Sequence, residues 1–181
     1  MKNNKGFSLI ELIVVVAIMA VMTGFIFISF GLLTGQDARK CANNLSTVLD
    51  KEKNYALTKS AEADCYVEIT WNSDGYYAEY FIPRKAVGTD MISLERELVG
   101  KNSVLVSCYK DSDFEDASPG SYEGAVTSGN KLVIKYNRVS GAIKEAKLNG
   151  ADINMIRVDR GKTYDIKLYE ATGKHTLEQT N

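Results

Sequence analysis

The sequence predicts an α+β protein: a long N-terminal helix, with a transmembrane half and an amphipathic half, packed on a C-terminal antiparallel β domain of two sheets. Three observations predict it. Phe7 to Leu33 is a run of 27 residues that is almost wholly apolar. From Asp37 to about Ser60, apolar residues recur at spacings of three and four, the period of a helix with one buried face. Beyond residue 61 they alternate instead, in short runs separated by turn signals. The expected segments are a membrane helix over 7–36, its amphipathic extension over 37–60 and a β-rich domain over 61–181.

In the apolar run the only charged residue is Glu11, and Ser8, Thr23, Gly24, Ser29 and Gly31 are its other interruptions. About 20 helical residues cross the hydrocarbon of a bilayer, so the run is long enough to span one. A secretory signal would have a shorter apolar centre and a small-residue cleavage site after it, and nothing of the Ala-x-Ala kind follows Leu33. Lys2 and Lys5 precede the run, which by the positive-inside tendency keeps the N-terminus in the cytoplasm and sends Asp37 onward outside. The expected location is the cytoplasmic membrane, crossed once. A charge at mid-membrane costs about 3 kcal/mol, which makes Glu11 a functional candidate.

In the extension, Ala38, Cys41 and Ala42, Leu45, Val48 and Leu49, then Tyr55 and Ala56 form one apolar stripe. Two readings are open where it meets the run. A break at Gly35 would make Asp37 a local helix cap. Without a break, a single helix of roughly 80 Å runs from Phe7 to about Ser60. In both cases the stripe must lie on the domain that follows. That domain begins with "CYVEITW", a turn "NSDG", and "YYAEYFIP", two alternating runs that form a hairpin. Further strands are expected at Met91–Val99, Ser103–Tyr109, Lys131–Arg138, Ala142–Leu148, Ile153–Val158 and Tyr164–Tyr169, with a short last one near His175–Glu178. Lys110 to Asn130 has no clear period and reads as a long loop. So many strands against one helix face make two sheets, or one strongly curled sheet.

The net charge of −1 marks neither a polyanion binder nor an acidic tail. Three cysteines, Cys41, Cys65 and Cys108, cannot all pair. Cys65 and Cys108 could join outside the cell, or they are buried free thiols. "DSDFED" groups Asp111, Asp113, Glu115 and Asp116 on a loop. An EF-hand would need Gly where Asp116 stands, so a solvated acidic loop is expected and no metal is assigned. His175 is the only histidine, taken here to exclude multi-histidine metal sites and catalytic triads. Residues 131–181 hold ten Lys or Arg against six Asp or Glu, an excess of four that could attract DNA phosphates but more often marks a solvated face. No cofactor and no enzymatic constellation are expected.

The stretch "KGFSLIEL" resembles the processing site of type IV prepilins and type II secretion pseudopilins: a basic leader ending in Gly6, an aromatic first mature residue, Phe7, and a glutamate at the fifth mature position, Glu11. The resemblance implies a leader over 1–6, removed after Gly6 by a membrane prepilin peptidase that also N-methylates Phe7. Cleavage creates an α-amino group, charged at neutral pH. A carboxylate four residues on shares its helix face and lies in the positive end of the helix dipole. Glu11 can thus be satisfied by its own terminus, or it can pair with the Phe7 amine of a stacked neighbour and set axial register. The residues permit both; the family implies the second. Gly24, Ser29 and Gly31 would allow close approach of other pilin helices, or are simply ordinary membrane-helix composition. The chain departs from many pilins at Ile28, where they carry a proline; its first proline is Pro83.

Two further stretches, "ANNLSTVLDKEKNYALTKSAEADCYVEITW" and "YDIKLYEATGKHTLE", resemble H-type minor pseudopilins and FimT-like minor pilins. The expected function is a structural subunit, minor in abundance, of a type IV pilus or secretion pseudopilus, partnered with other pilin subunits. The alternatives are a competence-type minor pilin that contacts DNA, and a bitopic membrane protein whose β domain binds a ligand.

Overall fold

Helix α1 runs without interruption from Leu9 to Lys59. The computed structural model describes residues 9–59, 63–84, 90–111 and 120–180, and within α1 it leaves the side chains of 24–34 outside the description. The leader, Gly6 and Phe7, the turn at Gly88, and Asp113, Glu115 and Asp116 therefore lie outside the described residues, as do the side chains of Ile28 and Ser29. Of the two readings at residue 35, the continuous helix is the one found. A glycine costs a helix interior about 1 kcal/mol relative to alanine, and Gly35 has a packing reason to be there. A Cβ at this position would lie 3.0 Å from Cδ of Lys162, whose stem crosses the helix at that point. Asp37 is then no cap. Its carboxylate turns to the β domain, 3.1 Å from Lys101 Nζ and bonded to the Arg160 guanidinium.

Eleven strands follow among the described residues. They are β1 (Tyr66–Asn72), β2 (Gly75–Pro83), β3 (Met91–Lys101), β4 (Leu105–Lys110), β5 (Ser121–Ala125), β6 (Leu132–Tyr136), β7 (Ile143–Leu148), β8 (Ala151–Asp152), β9 (Met155–Asp159), β10 (Thr163–Tyr169) and β11 (Lys174–Thr180). They form two antiparallel sheets, one in the order β3-β2-β1-β6-β7-β8 and the other β11-β10-β9-β4-β5. The first hairpin forms as the alternation requires. Asn72 Oδ1 accepts from the amides of Asp74 and Gly75 at 2.9 and 3.2 Å, which closes the turn. Cys65, Val67, Ile69, Tyr76, Ala78 and Tyr80 all point into the core.

Two expectations are corrected. The loop assigned to Lys110–Asn130 contains β5, paired with β4 from Ser107↔Ala125 to Lys110↔Ser121. Gly124 hides it from a sequence reading, yet Gly124 sits at φ 140° and a Cβ there would press within 3.0 Å of Leu148 in the opposite sheet. The single strand expected at Ile153–Val158 is instead a change of sheet. The Ile153 amide donates to Ala146 on β7 and the Asn154 amide to Tyr109 on β4, so the chain leaves one sheet at β8 and enters the other at β9. The final strand is also longer than expected, seven residues.

The core lies between the sheets and the C-terminal half of α1, which touches the edge strands β3 and β11 and the strands beside them. The stripe Ala38, Cys41, Ala42, Leu45, Val48, Leu49 and Ala56 is buried as its spacing demands. Gly100 on β3 permits the approach, since a methyl there would strike Cys41 Sγ. The three cysteines are buried and none is in a disulfide. Burial pushes the thiols of Cys41 and Cys108 up to about 12, which makes them packing residues and not nucleophiles.

Candidate functional site

The first half of α1 is the feature that sets this chain apart from a self-contained β domain. From Leu9 to Thr23 every described side chain is exposed, from 78% at Leu9 to 48% at Val15. Eleven of them are large and apolar. The one potentially obstructive hydroxyl is satisfied within the helix, since Thr23 Oγ1 donates to the Met19 carbonyl at 2.7 Å. Glu11 lies in the first turn, exposed among these apolar neighbours. Among the described residues no helix is long and apolar enough to cross a membrane. The described side chains of the apolar run end at Thr23, short of the roughly 20 residues that a crossing takes.

The second half of α1 is fixed to the sheets by polar as well as apolar contacts. Lys51 Nζ lies 2.8 Å from Glu95 and 3.6 Å from Glu97 on β3, and 4.7 Å over the ring of Tyr80, whose hydroxyl bonds Glu97. Tyr55 meets the Tyr80 ring edge-on at 5.5 Å. On the other side, Lys53 donates to the carbonyls of Thr172 and Gly173 at 3.3 and 3.1 Å. Ser46 Oγ lies 2.8 Å from His175 Nε2.

The last contact corrects the argument from histidine count, because a Ser-His-Asp triad needs only one histidine. Geometry supplies the better reason. Asp50 Oδ1 lies 4.0 Å from the same Nε2 that meets Ser46, whereas a relay uses the two ring nitrogens separately. Burial lowers the His175 pKa, Asp50 opposes this, and Lys53 adds to the lowering.

One residue escaped the sequence reading. Glu52 stands in the apolar stripe between Leu49 and Ala56, fully buried, and neither carboxylate oxygen has a hydrogen-bond partner among the described residues. Burial pushes it up to about 8. Its signal was present, because an acid at a stripe position is out of pattern, but a charged residue in a helix of mixed polarity draws no notice.

The basic excess of the C-terminal segment is largely neutralised. Of its ten Lys and Arg, seven are ion-paired: Lys131, Lys135, Lys144, Lys147, Arg157, Arg160 and Lys167. Three of those partners come from elsewhere in the chain, namely Glu68, Asp64 and Asp37. Of the acidic loop, Asp111 is described, and its backbone is held on both sides by the Asn154 side chain. Among the described residues no group of three or more His, Cys, Asp or Glu is placed to hold a metal.

No curated protein and no solved structure matches the chain. A family model does match its beginning: residues 1–27 fit the prokaryotic N-terminal methylation motif. The match spans the basic residues, Gly6, Phe7, Glu11 and most of the exposed apolar helix surface. The first 27 residues thus carry the prokaryotic N-terminal methylation motif, over the same stretch, "KGFSLIEL", on which the resemblance to prepilins rests.

Proposed function

We propose that this chain is a minor pilin-like structural subunit without catalytic chemistry of its own. It is held in the cytoplasmic membrane with its N-terminus inside, cleaved after Gly6 by a prepilin peptidase, and N-methylated at Phe7. It then enters an extracytoplasmic type IV pilus or secretion pseudopilus. The observation that carries this reading is the exposed surface of α1 from Leu9 to Met22, apolar but for Glu11, within the residues that match the methylation motif. Such a surface is stable only when lipid or other apolar helices cover it, so it suits a subunit that passes from bilayer to helix bundle. Glu11 is the residue that would tie one subunit to the next, by accepting the Phe7 amine of a neighbour. The β domain, anchored by the distal half of α1, would be displayed outside. Its strand pattern and closing hairpin favour the H-type and FimT-like minor subunits. A DNA-contacting role has less support, because seven of the ten C-terminal cations are already paired.

Mass spectrometry of the protein from cells tests the reading. The expected mature terminus is N-methylated Phe7, and Gly6→Ala should leave the precursor intact in the membrane. A wild-type chain that still begins at Met1 would instead make it a bitopic membrane protein.

A further inference from the structure

Glu52 is the one acid of α1 that is fully buried, and it lies where the helix meets the sheets. Both of its oxygens are sealed from solvent with no hydrogen-bond partner among the described residues, and so is the Tyr136 hydroxyl on β6. The other titratable and charged groups around this interface are accounted for. On the helix, Asp50 is exposed, Lys51 is taken by Glu95 and Glu97 of β3, and Lys53 by two carbonyls. Tyr80 on β2 is bonded to Glu97, His175 on β11 to Ser46, and Tyr164 on β10 to Gln179. Tyr55 meets the Tyr80 ring edge-on, and Cys65, ahead of β1, has Sγ 3.6 Å from the Tyr55 carbonyl. Among the described residues no cation is paired with Glu52. An ionised carboxylate there would lose its hydration with nothing in exchange, so the buried form is the neutral acid.

We propose that Glu52 is a proton-operated latch: the distal part of α1, around residues 45–56, docks on the two sheets with this side chain protonated and loses its hold as the proton leaves. This does not depend on filament assembly. The linkage has a definite sign. An undocked Glu52 releases its proton near 4.5 and the docked one near 8. Below the first value both forms are protonated and docking is at full strength. Between the two, docking takes up a proton and weakens about tenfold per pH unit, and above the second it levels off. The neighbouring groups titrate elsewhere. His175 is lowered from its ordinary value, Cys41 and Cys108 are pushed up to about 12, and Tyr80 and Tyr136 are raised, so pH 7 to 8 isolates Glu52 among them.

The test is hydrogen-exchange protection of the full chain in detergent micelles between pH 6.5 and 9, resolved for α1 amides 45–56 and for the core strands. In the wild type, protection of 45–56 should fall about fivefold from pH 7 to 8 relative to the core strands. In Glu52→Gln the fall should vanish. A level wild-type profile, or an unchanged slope in Glu52→Gln, would overturn the latch. Should Glu52→Gln fail to fold, the wild-type profile decides alone, and Glu52→Leu provides a second arm, expected to exceed wild-type protection at pH 8.

Discussion

The two halves of α1 each place one carboxylate among apolar residues, and they do so in opposite ways. In the first half, Glu11 is exposed among apolar side chains that are exposed in their turn. In the second half, Glu52 is enclosed by the protein's own core. The first half is unfinished and needs an external partner. The second half has its partner already, and its acid is a cost borne inside a completed interface. An acid is therefore informative through what covers its surroundings: outside a core it calls for a neighbouring molecule, inside one for a proton.

Breaking the first half should have the largest effect. Glu11→Ala should insert and mature normally yet be lost from filaments, measured by the amount of subunit in sheared filaments against that in the membrane. Undiminished incorporation would leave Glu11 only its own terminus as partner. The second half should respond in stability instead. Leu45→Ala, at a fully buried stripe position, should cost about 2–5 kcal/mol in chemical unfolding of the full chain in micelles. Val15→Ala in the exposed half should stay within about 0.5 kcal/mol in the same measurement. A comparable loss at Val15 would mean that the two halves are not energetically distinct. A smaller effect comes from Gly100, where the added methyl of Gly100→Ala meets Cys41. It should cost about 1–3 kcal/mol, most of it recovered when Cys41→Ala removes the opposing sulfur. Failure of that rescue would place the strain elsewhere.

Much of the second half could be read in advance. The three-four spacing identified seven stripe residues that are buried, and the alternation of β1 and β2 identified their inward side chains. Both signals are local, since they express the period of one element against one apolar face. What could not be read depends on distant residues. β5 exists because β4 supplies its ladder and Leu148 fills the space left by Gly124. The expected strand over Ile153–Val158 splits because two different sheets compete for adjacent amides. Asp37, a reasonable cap by its position, is drawn to Lys101 at the end of β3 and to Arg160, 64 and 123 residues away.

By itself the sequence determined the apolar run, the motif at Gly6, Phe7 and Glu11, the amphipathic stripe and most of the strands, because hydropathy and its period are properties of neighbouring residues. Only the tertiary structure decided that α1 continues through Gly35, that three of the C-terminal cations find their acids at Asp37, Asp64 and Glu68, and that Glu52 is sealed without a donor among the described residues. Charge pairing and desolvation depend on distances that exist only once the chain has folded.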